Sequence, residues 1–383
     1  MNKIKKKCIL CNNSNLIIIH NFGRQPPSNS YKIRKTKKDY LHELILTKCS
    51  KCSLVQISNP IPIKRVVPKY KWISYREQES HLNKIVNIIK NIIKKDKKIL
   101  GISSKDSTFL ERLKSKGYNK TKELNKKKDF LLQSDLASLE SIQKIFNFKF
   151  TENLIKKNGN FDLLVCRHFL EHSRNPLQLM NNFKNIINES GYILIEVPDN
   201  VKIFKKSKYF FIWEEHMSYF TNNTLENLFK LSNLKIFYKF KFKYSHEDSL
   251  VYILSKKKTN KKIILKKDKN YKNIFNKKIV TFHKIISNFK NKRIVILGAG
   301  HVSIRFINFY ELSNLIEFVV DDHKNKIGKY LPKSNLQIKS SKELYKTPVD
   351  LCISTLNDES EKQFKKNNLS LFQSGLKIIN IFK

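Results

Sequence analysis

This chain predicts an α/β fold in three successive parts, and three observations carry that expectation. Two C-x-x-C pairs, Cys8/Cys11 and Cys49/Cys52, mark a small N-terminal module. From residue 98 to residue 197, apolar runs of strand length alternate with segments of helical period. That is the pattern of an open parallel sheet with its site at the strand C-terminal ends. A second strand, glycine turn and helix begin at Arg293. The parts are drawn at residues 1–75, 76–258 and 259–383, and a chain of 383 residues can bury two or three cores.

The first part is read from its cysteines. C-x-x-C spacing puts two sulfurs on one knuckle, and two knuckles supply the closed four-sulfur shell that structural zinc prefers. Redox pairs are the other use of that spacing. The residues between the pairs, 12–48, exceed the loop of a compact zinc ribbon, so a small domain folded around the ion fits better than a single finger. Pro26-Pro27 and Pro60/Pro62 supply turns, and the module reads as loop-rich. Cys166 and Cys352 each lie in an apolar run and read as buried free thiols. Reduced thiols suit a cytoplasmic protein. Residues 9–19 are broken by cysteines and asparagines and form no signal-peptide apolar region, and no apolar run reaches membrane-spanning length.

In the second part, Leu82, Ile85, Val86, Ile88, Ile89, Ile92 and Ile93 recur at helical spacing, giving an amphipathic helix over 80–95. Strands at 98–103, 119–124, 161–166 and 192–197 then alternate with helices at 108–116, 137–146 and 176–187. Runs 235–244 and 250–255, split by a polar turn at 245–249, read as an antiparallel pair closing the sheet edge. Residues 256–292 are lysine- and asparagine-rich, with a helical stripe at Ile279, Phe282, Ile285, Ile286 and Phe289, and serve as a connecting helix. The third part has strands at 294–297, 316–320, 351–354 and 378–381, with a helix running from the glycine turn through Leu312.

Three segments resemble known enzymes. Cys166-Arg167-His168-Phe169-Leu170-Glu171-His172-Ser173-Arg174-Asn175-Pro176 is similar to the loop after the fourth strand of class I S-adenosylmethionine-dependent methyltransferases, which ends in Leu-Glu-His and Asn/Asp-Pro. Ile195-Glu196-Val197-Pro198 is similar to their Glu-Val-Pro segment. Trp213-Glu214-Glu215-His216-Met217-Ser218-Tyr219-Phe220-Thr221 resembles the Glu-His-x-x-Tyr-Phe-Ser segment of the sugar C-methyltransferases. That family orders a zinc domain, a methyltransferase domain and a C-terminal Rossmann-like domain as this chain does, so the resemblance covers nearly its whole length. It implies a class I methyltransferase Rossmann-like sheet flanked by a small N-terminal zinc domain and a second C-terminal Rossmann-like domain. It also implies S-adenosylmethionine as cofactor beside structural zinc, and a nucleotide-activated keto-sugar as substrate.

Methylating carbon requires removal of a proton next to a ketone, so a base must reach that carbon. The resemblance puts His216 in the base role with Glu215 beside it, and Glu214 is a second candidate for orienting the ring. By itself Glu-Glu-His reads better as a polar loop with His216 a surface residue, and the resemblance reverses that reading. His172 is either a site residue or a packing histidine at a helix start. Trp213 stands where relatives carry Tyr, which removes a hydroxyl. The cofactor set is Ser103, Asp106 and Ser107 in the turn after the first strand, Glu123 for the ribose hydroxyls, and His168. Ser103 and Ser107 occupy the family's glycine positions, where a turn of positive φ would be strained. That departure leaves a catalytically degenerate relative as an alternative.

Gly298-Ala299-Gly300-His301-Val302-Ser303, with Asp321/Asp322 closing the next strand, is most of a dinucleotide fingerprint without its third glycine. Alone it favours NAD or FAD and a nucleotide-sugar oxidoreductase; in the three-part layout it resembles the family's C-terminal unit. The formal net charge of +44 would draw polyanions. Its source is overwhelmingly lysine spread over all regions, alongside abundant Asn and Ile, as AT-rich coding produces. Arginine, the better reader of phosphates and guanines, is scarce. A solvated lysine surface is expected over a dedicated nucleic-acid face, with no membrane partner and with an anionic nucleotide sugar favoured; a non-enzymatic zinc protein binding nucleic acid through its lysines is the competing reading.

Overall fold

The computed structural model describes residues 7–36, 38–70, 78–132, 139–245, 247–256, 263–289, 293–347 and 349–382. The boundaries expected at 75/76 and 258/259, the first two residues of the 137–146 helix, and parts of the 245–249 turn and 256–292 linker lie outside them. The chain divides into two compact units. One takes Met1–His20, Ile45–Val201 and Glu215–Asn270; the other takes Asn21–Leu44, Lys202–Glu214 and Tyr271–Lys383.

The N-terminal part is richer in strand than expected: β1 (Leu16–Gln25), β2 (His42–Cys49) and β3 (Val55–Ile57) precede a short α1 (Ile63–Val66). Strand β2 escapes a period-2 reading because Leu44, Ile45, Leu46 and Thr47 are buried in succession. A strand covered on both faces does not alternate.

The central part begins with α2 (Leu82–Ile92), which buries Leu82, Ile85, Val86 and Ile89. There follow β4 (Ile99–Gly101), α3 (Ser107–Lys114), β5 (Thr121–Glu123), α4 (Leu139–Ile145), α5 (Phe148–Asn158) and β6 (Phe161–Arg167). A 3-10 turn at Leu170–His172 leads to α6 (Pro176–Ile186) and β7 (Ile187–Asp199). After α7 (Val201–Lys206) come β8 (Ser218–Tyr219), α8 (Asn222–Leu231), β9 (Lys235–Phe242) and β10 (Asp248–Ser255).

The sheet order is β5-β4-β6-β7-β10-β9. The first four strands pair in parallel, and β10 runs antiparallel between β7 and β9. Strand alternation divides the core between the two faces. Leu100, Leu164 and Cys166 enter one apolar cluster, while Ile99, Leu163 and Val165 enter the other. A second sheet has the order β1-β2-β3-β8.

In the C-terminal part, α9 (Phe275–Ser287) precedes β11 (Ile294–Leu297), α10 (His301–Phe309), β12 (Phe318–Val320) and β13 (Ile338–Lys339). Then come α11 (Glu343–Lys346), β14 (Leu351–Ser354), α12 (Asp358–Asn367), α13 (Leu369–Gln373) and β15 (Lys377–Asn380). Its sheet, β13-β12-β11-β14-β15, is parallel throughout. Among the described residues no helix is long and apolar enough to cross a membrane.

Candidate functional site

The two cysteine knuckles are built alike. The Asn12 amide donates to the Cys8 carbonyl and the Ser53 amide to the Cys49 carbonyl, each at 3.0 Å. The residue after each pair turns left-handed, with φ 57° at Asn12 and 63° at Ser53. These two turns bring Cys8 Sγ within 3.6 Å of Cys52 Sγ, and Cys11 Sγ within 3.5 Å of Cys49 Sγ. A disulfide is about 2.05 Å; sulfurs about 2.3 Å from a tetrahedral zinc stand about 3.8 Å apart. All four sulfurs lie within 4.8 Å of one another. The donor set fits four-thiolate zinc, with no position left for substrate.

At the C-terminal ends of β4, β5 and β6, Asp106 braces the first turn. Its buried carboxylate accepts the amides of Ile102 (2.8 Å), Ser103 (3.0 Å) and Arg167 (2.8 Å). Burial pushes the carboxyl up to about 7 despite these bonds and the Arg167 charge. Asp106 therefore faces its own loop. The strain expected at Ser103 and Ser107 is absent, since neither has positive φ; His168, with φ 46°, does. The Ser107 hydroxyl donates to the Glu123 carboxylate at 2.6 Å, joining two of the expected cofactor residues. Gly101, which ends β4, packs closely against α3, where a Cβ would meet Leu110 Cδ1 at 2.7 Å and Asp106 Cβ at 3.1 Å.

Arg167 donates from Nε to Glu196 (2.6 Å) and from Nη1 to the Lys105 carbonyl (2.8 Å). Glu196 also lies 2.9 Å from His81 Nε2 and 3.4 Å from His168 Nε2. Burial would raise the Glu196 carboxyl, but His168, His81 and Arg167 outweigh it and hold the group well below the usual range. Arg167 Nη2 is buried with no acceptor among the described residues. An orphaned cationic donor fits the methionine carboxylate of S-adenosylmethionine, and the exposed Ser107–Glu123 pair fits its ribose hydroxyls.

His172 and His216 form the second focus. Their rings meet edge to face with centroids 4.7 Å apart at 79°. The main-chain amide of Met217 donates to the Glu171 carbonyl at 2.8 Å, tying the two segments together. Strand β8, two residues beyond His216, pairs with β3 through Val55↔Tyr219 and Gln56↔Ser218. His172 Nδ1 lies 2.6 Å from the Glu140 carboxylate, and both residues are buried. Glu215 is buried, with a carboxylate oxygen within 4.8 Å of ligand atoms of Glu140 and His172. His172, Glu215 and His216 are thus brought together, while Glu140 and Glu171 join them unforeseen. Glu171 was visible within Leu-Glu-His; Glu140, 32 residues before its partner, carried no local signal.

Glu214 does not orient His216. In the second unit it accepts from the Ser28 amide and hydroxyl and from the fully buried Arg305. Trp213 stacks on His301 at 4.6 Å and 17°.

The C-terminal glycine turn is closed on itself. Asp321 accepts the Ala299 amide at 2.9 Å and Lys326 Nζ at 2.8 Å, and the Tyr31 hydroxyl donates to the Ala299 carbonyl at 2.5 Å. Gly298, at φ 94°, serves packing, since a Cβ would meet Leu356 at 2.7 Å and Thr355 at 2.9 Å. The acid and amide that a dinucleotide would use bind each other.

Three family models match in succession: a zinc binding domain over residues 8–66, a methyltransferase domain over 64–239 and a C-methyltransferase C-terminal domain over 257–379. C-methyltransferase NovU of Streptomyces niveus is 20% identical over 236 residues, taking in 60% of this chain and 56% of its own length. The chain thus spans little more than half of that relative. Among solved structures, an S-adenosylmethionine-dependent methyltransferase from Clostridium acetobutylicum is 12% identical, covering 45% of this chain and 89% of its own, with a TM-score of 0.30. One from Methanosarcina mazei is 15% identical, covering 44% and 96%, with a TM-score of 0.31. The chain thus carries in succession a zinc-binding domain, a methyltransferase domain and a C-methyltransferase C-terminal domain, an order that the four-cysteine centre and the parallel sheet closed by antiparallel strands match.

Proposed function

We propose that this protein is an S-adenosylmethionine-dependent C-methyltransferase that acts on the carbon beside the ketone of a nucleotide-activated keto-sugar, with His216 removing the proton. The observation that carries this reading is the meeting of His216 with His172, which in turn lies beside Glu215, in a chain whose C-terminal part matches a C-methyltransferase C-terminal domain. When bound, S-adenosylmethionine supplies an electrophilic methyl on a sulfonium. Arg167, Ser107 and Glu123 are the residues that would hold it, with the Asp106-braced loop fixing the turn between them. The neutral imidazole of His216 takes the proton, Glu215 and His172 orient the ring, and the four cysteines hold zinc away from the chemistry. The lysine-rich surface favours an anionic substrate, and reduced thiols favour the cytoplasm.

His216→Asn tests the base. Turnover on a nucleoside diphosphate keto-hexose should fall by about 10²- to 10⁴-fold, while calorimetric affinity for S-adenosylmethionine stays within about twofold of the parent, since the ring takes no part in holding the cofactor. Undiminished turnover would remove His216 from the base role, and absent cofactor binding in the parent protein would favour a degenerate relative.

A further inference from the structure

The cluster around His172 holds more carboxylate than a proton-transfer site requires. Glu140, Glu171 and Glu215 are all buried, and they surround two imidazoles. Glu171 is the most telling. It is 1% exposed, and neither of its carboxylate oxygens has a hydrogen-bond partner among the described residues. His168 Nδ1, at 3.6 Å from Oε1, stands beyond hydrogen-bond length. A buried carboxylate without donors is costly, and a bound cation removes that cost. One ligand atom each from Glu171, His172 and His216 lie within 4.8 Å of one another, close enough for modest side-chain movement to converge them on one ion.

The Glu140 contact on His172 points the same way. A carboxylate can only accept, so the 2.6 Å contact fixes the proton of His172 on Nδ1 facing Glu140 and leaves Nε2 with its lone pair. Metal-binding histidines are characteristically held in this way, with a carboxylate on the other ring nitrogen setting the tautomer. Two imidazoles and one carboxylate suit first-row divalent cations and leave coordination positions open, whereas magnesium and calcium prefer all-oxygen sets.

We infer that Glu171, His172 and His216 form a second metal site, chemically distinct from the four-cysteine centre, which takes zinc or cobalt(II) and in doing so withdraws His216 from proton removal. The inhibitory half rests on the proposed base role of His216; the site itself does not. Glu140 is its positioning residue.

Cobalt(II) is the probe, added to full-length protein already carrying one equivalent of zinc. A second metal should load to one equivalent, with weak visible ligand-field bands and no thiolate charge-transfer absorption. Glu171→Gln and His172→Gln should each abolish that second equivalent, and Glu140→Gln should weaken it about 10- to 100-fold. Circular dichroism checks that each variant is folded, and Glu140→Gln, outside the ligand set, serves if a ligand variant is not. Methyl transfer should fall in proportion to second-site occupancy and return on adding nitrilotriacetate. No second equivalent in the parent protein, or its retention in both ligand variants, overturns the site. Full loading with undiminished turnover leaves the site standing and overturns the base role of His216 instead.

Discussion

Asp106 combines complete burial with three amide donors, and the two act oppositely on its ionisation. Burial dominates, raising the carboxyl from 3.8 to about 7. Between those values the folded protein keeps a proton that the unfolded chain releases, so this group's contribution to stability falls as pH rises through that window. The whole effect is at most on the order of 4 kcal/mol. Asp106→Asn removes the titration and leaves only one oxygen to accept, costing about 1–3 kcal/mol through the lost amide bonds. The substitution should therefore destabilise more at pH 5 than at pH 8, as measured by urea unfolding; a penalty independent of pH would return the carboxyl to its ordinary range. Asp106 also shows how far single residues were legible. Its place in the turn could be read from spacing, but its inward direction depends on Arg167, which arrives from another strand. Similarly, serine at the two glycine positions proves tolerable because neither Ser103 nor Ser107 takes a positive φ.

Among the elements, β3 has a reach beyond its three residues. It follows the second cysteine knuckle directly and pairs with β8, so zinc, β3, β8 and the His216 segment form one connected path. Cys8, Cys49 and Cys52 are buried in the same apolar cluster as Leu100, Leu164 and Phe220. Cys49→Ser should lose the metal, lower the thermal midpoint of the whole first unit in one transition, and reduce turnover through the path from β3 to the His216 segment. Scanning calorimetry that shows a separate small transition, with the main one unmoved, would make the knuckles an independent appendage. The helices and strands with strong periodicity, such as α2 and β6, were legible in sequence. Helix α5 was missed because its lysines and the exposed Phe148 blur the apolar stripe, although Asn147 caps it and Gly159 ends it. Helix α8 was missed because its capping box pairs Thr221 with Thr224 in place of a glutamate.

At the scale of the whole molecule, the linear order of parts was legible but the allocation of segments to units was not. Periodicity is a local signal, while Asn21–Leu44 and Lys202–Glu214 join the C-terminal unit through partners far away in sequence. Glu214 is the clearest case, lying 91 residues from Arg305, and the chain passes from one unit to the other between Glu214 and Glu215. Glu214 and Arg305 are both buried, so removing one leaves the other charge uncompensated, at about 3–5 kcal/mol. Glu214→Gln should lower the thermal midpoint of the second unit, and the double change Glu214→Leu with Arg305→Met should recover most of the loss, since an apolar pair carries no desolvation cost. Throughout, S-adenosylmethionine affinity should hold, because Arg167, Ser107 and Glu123 belong to the other unit. Equal losses in the single and double variants would mean that the Ser28 bonds to Glu214, and not its charge pair, hold this segment in place.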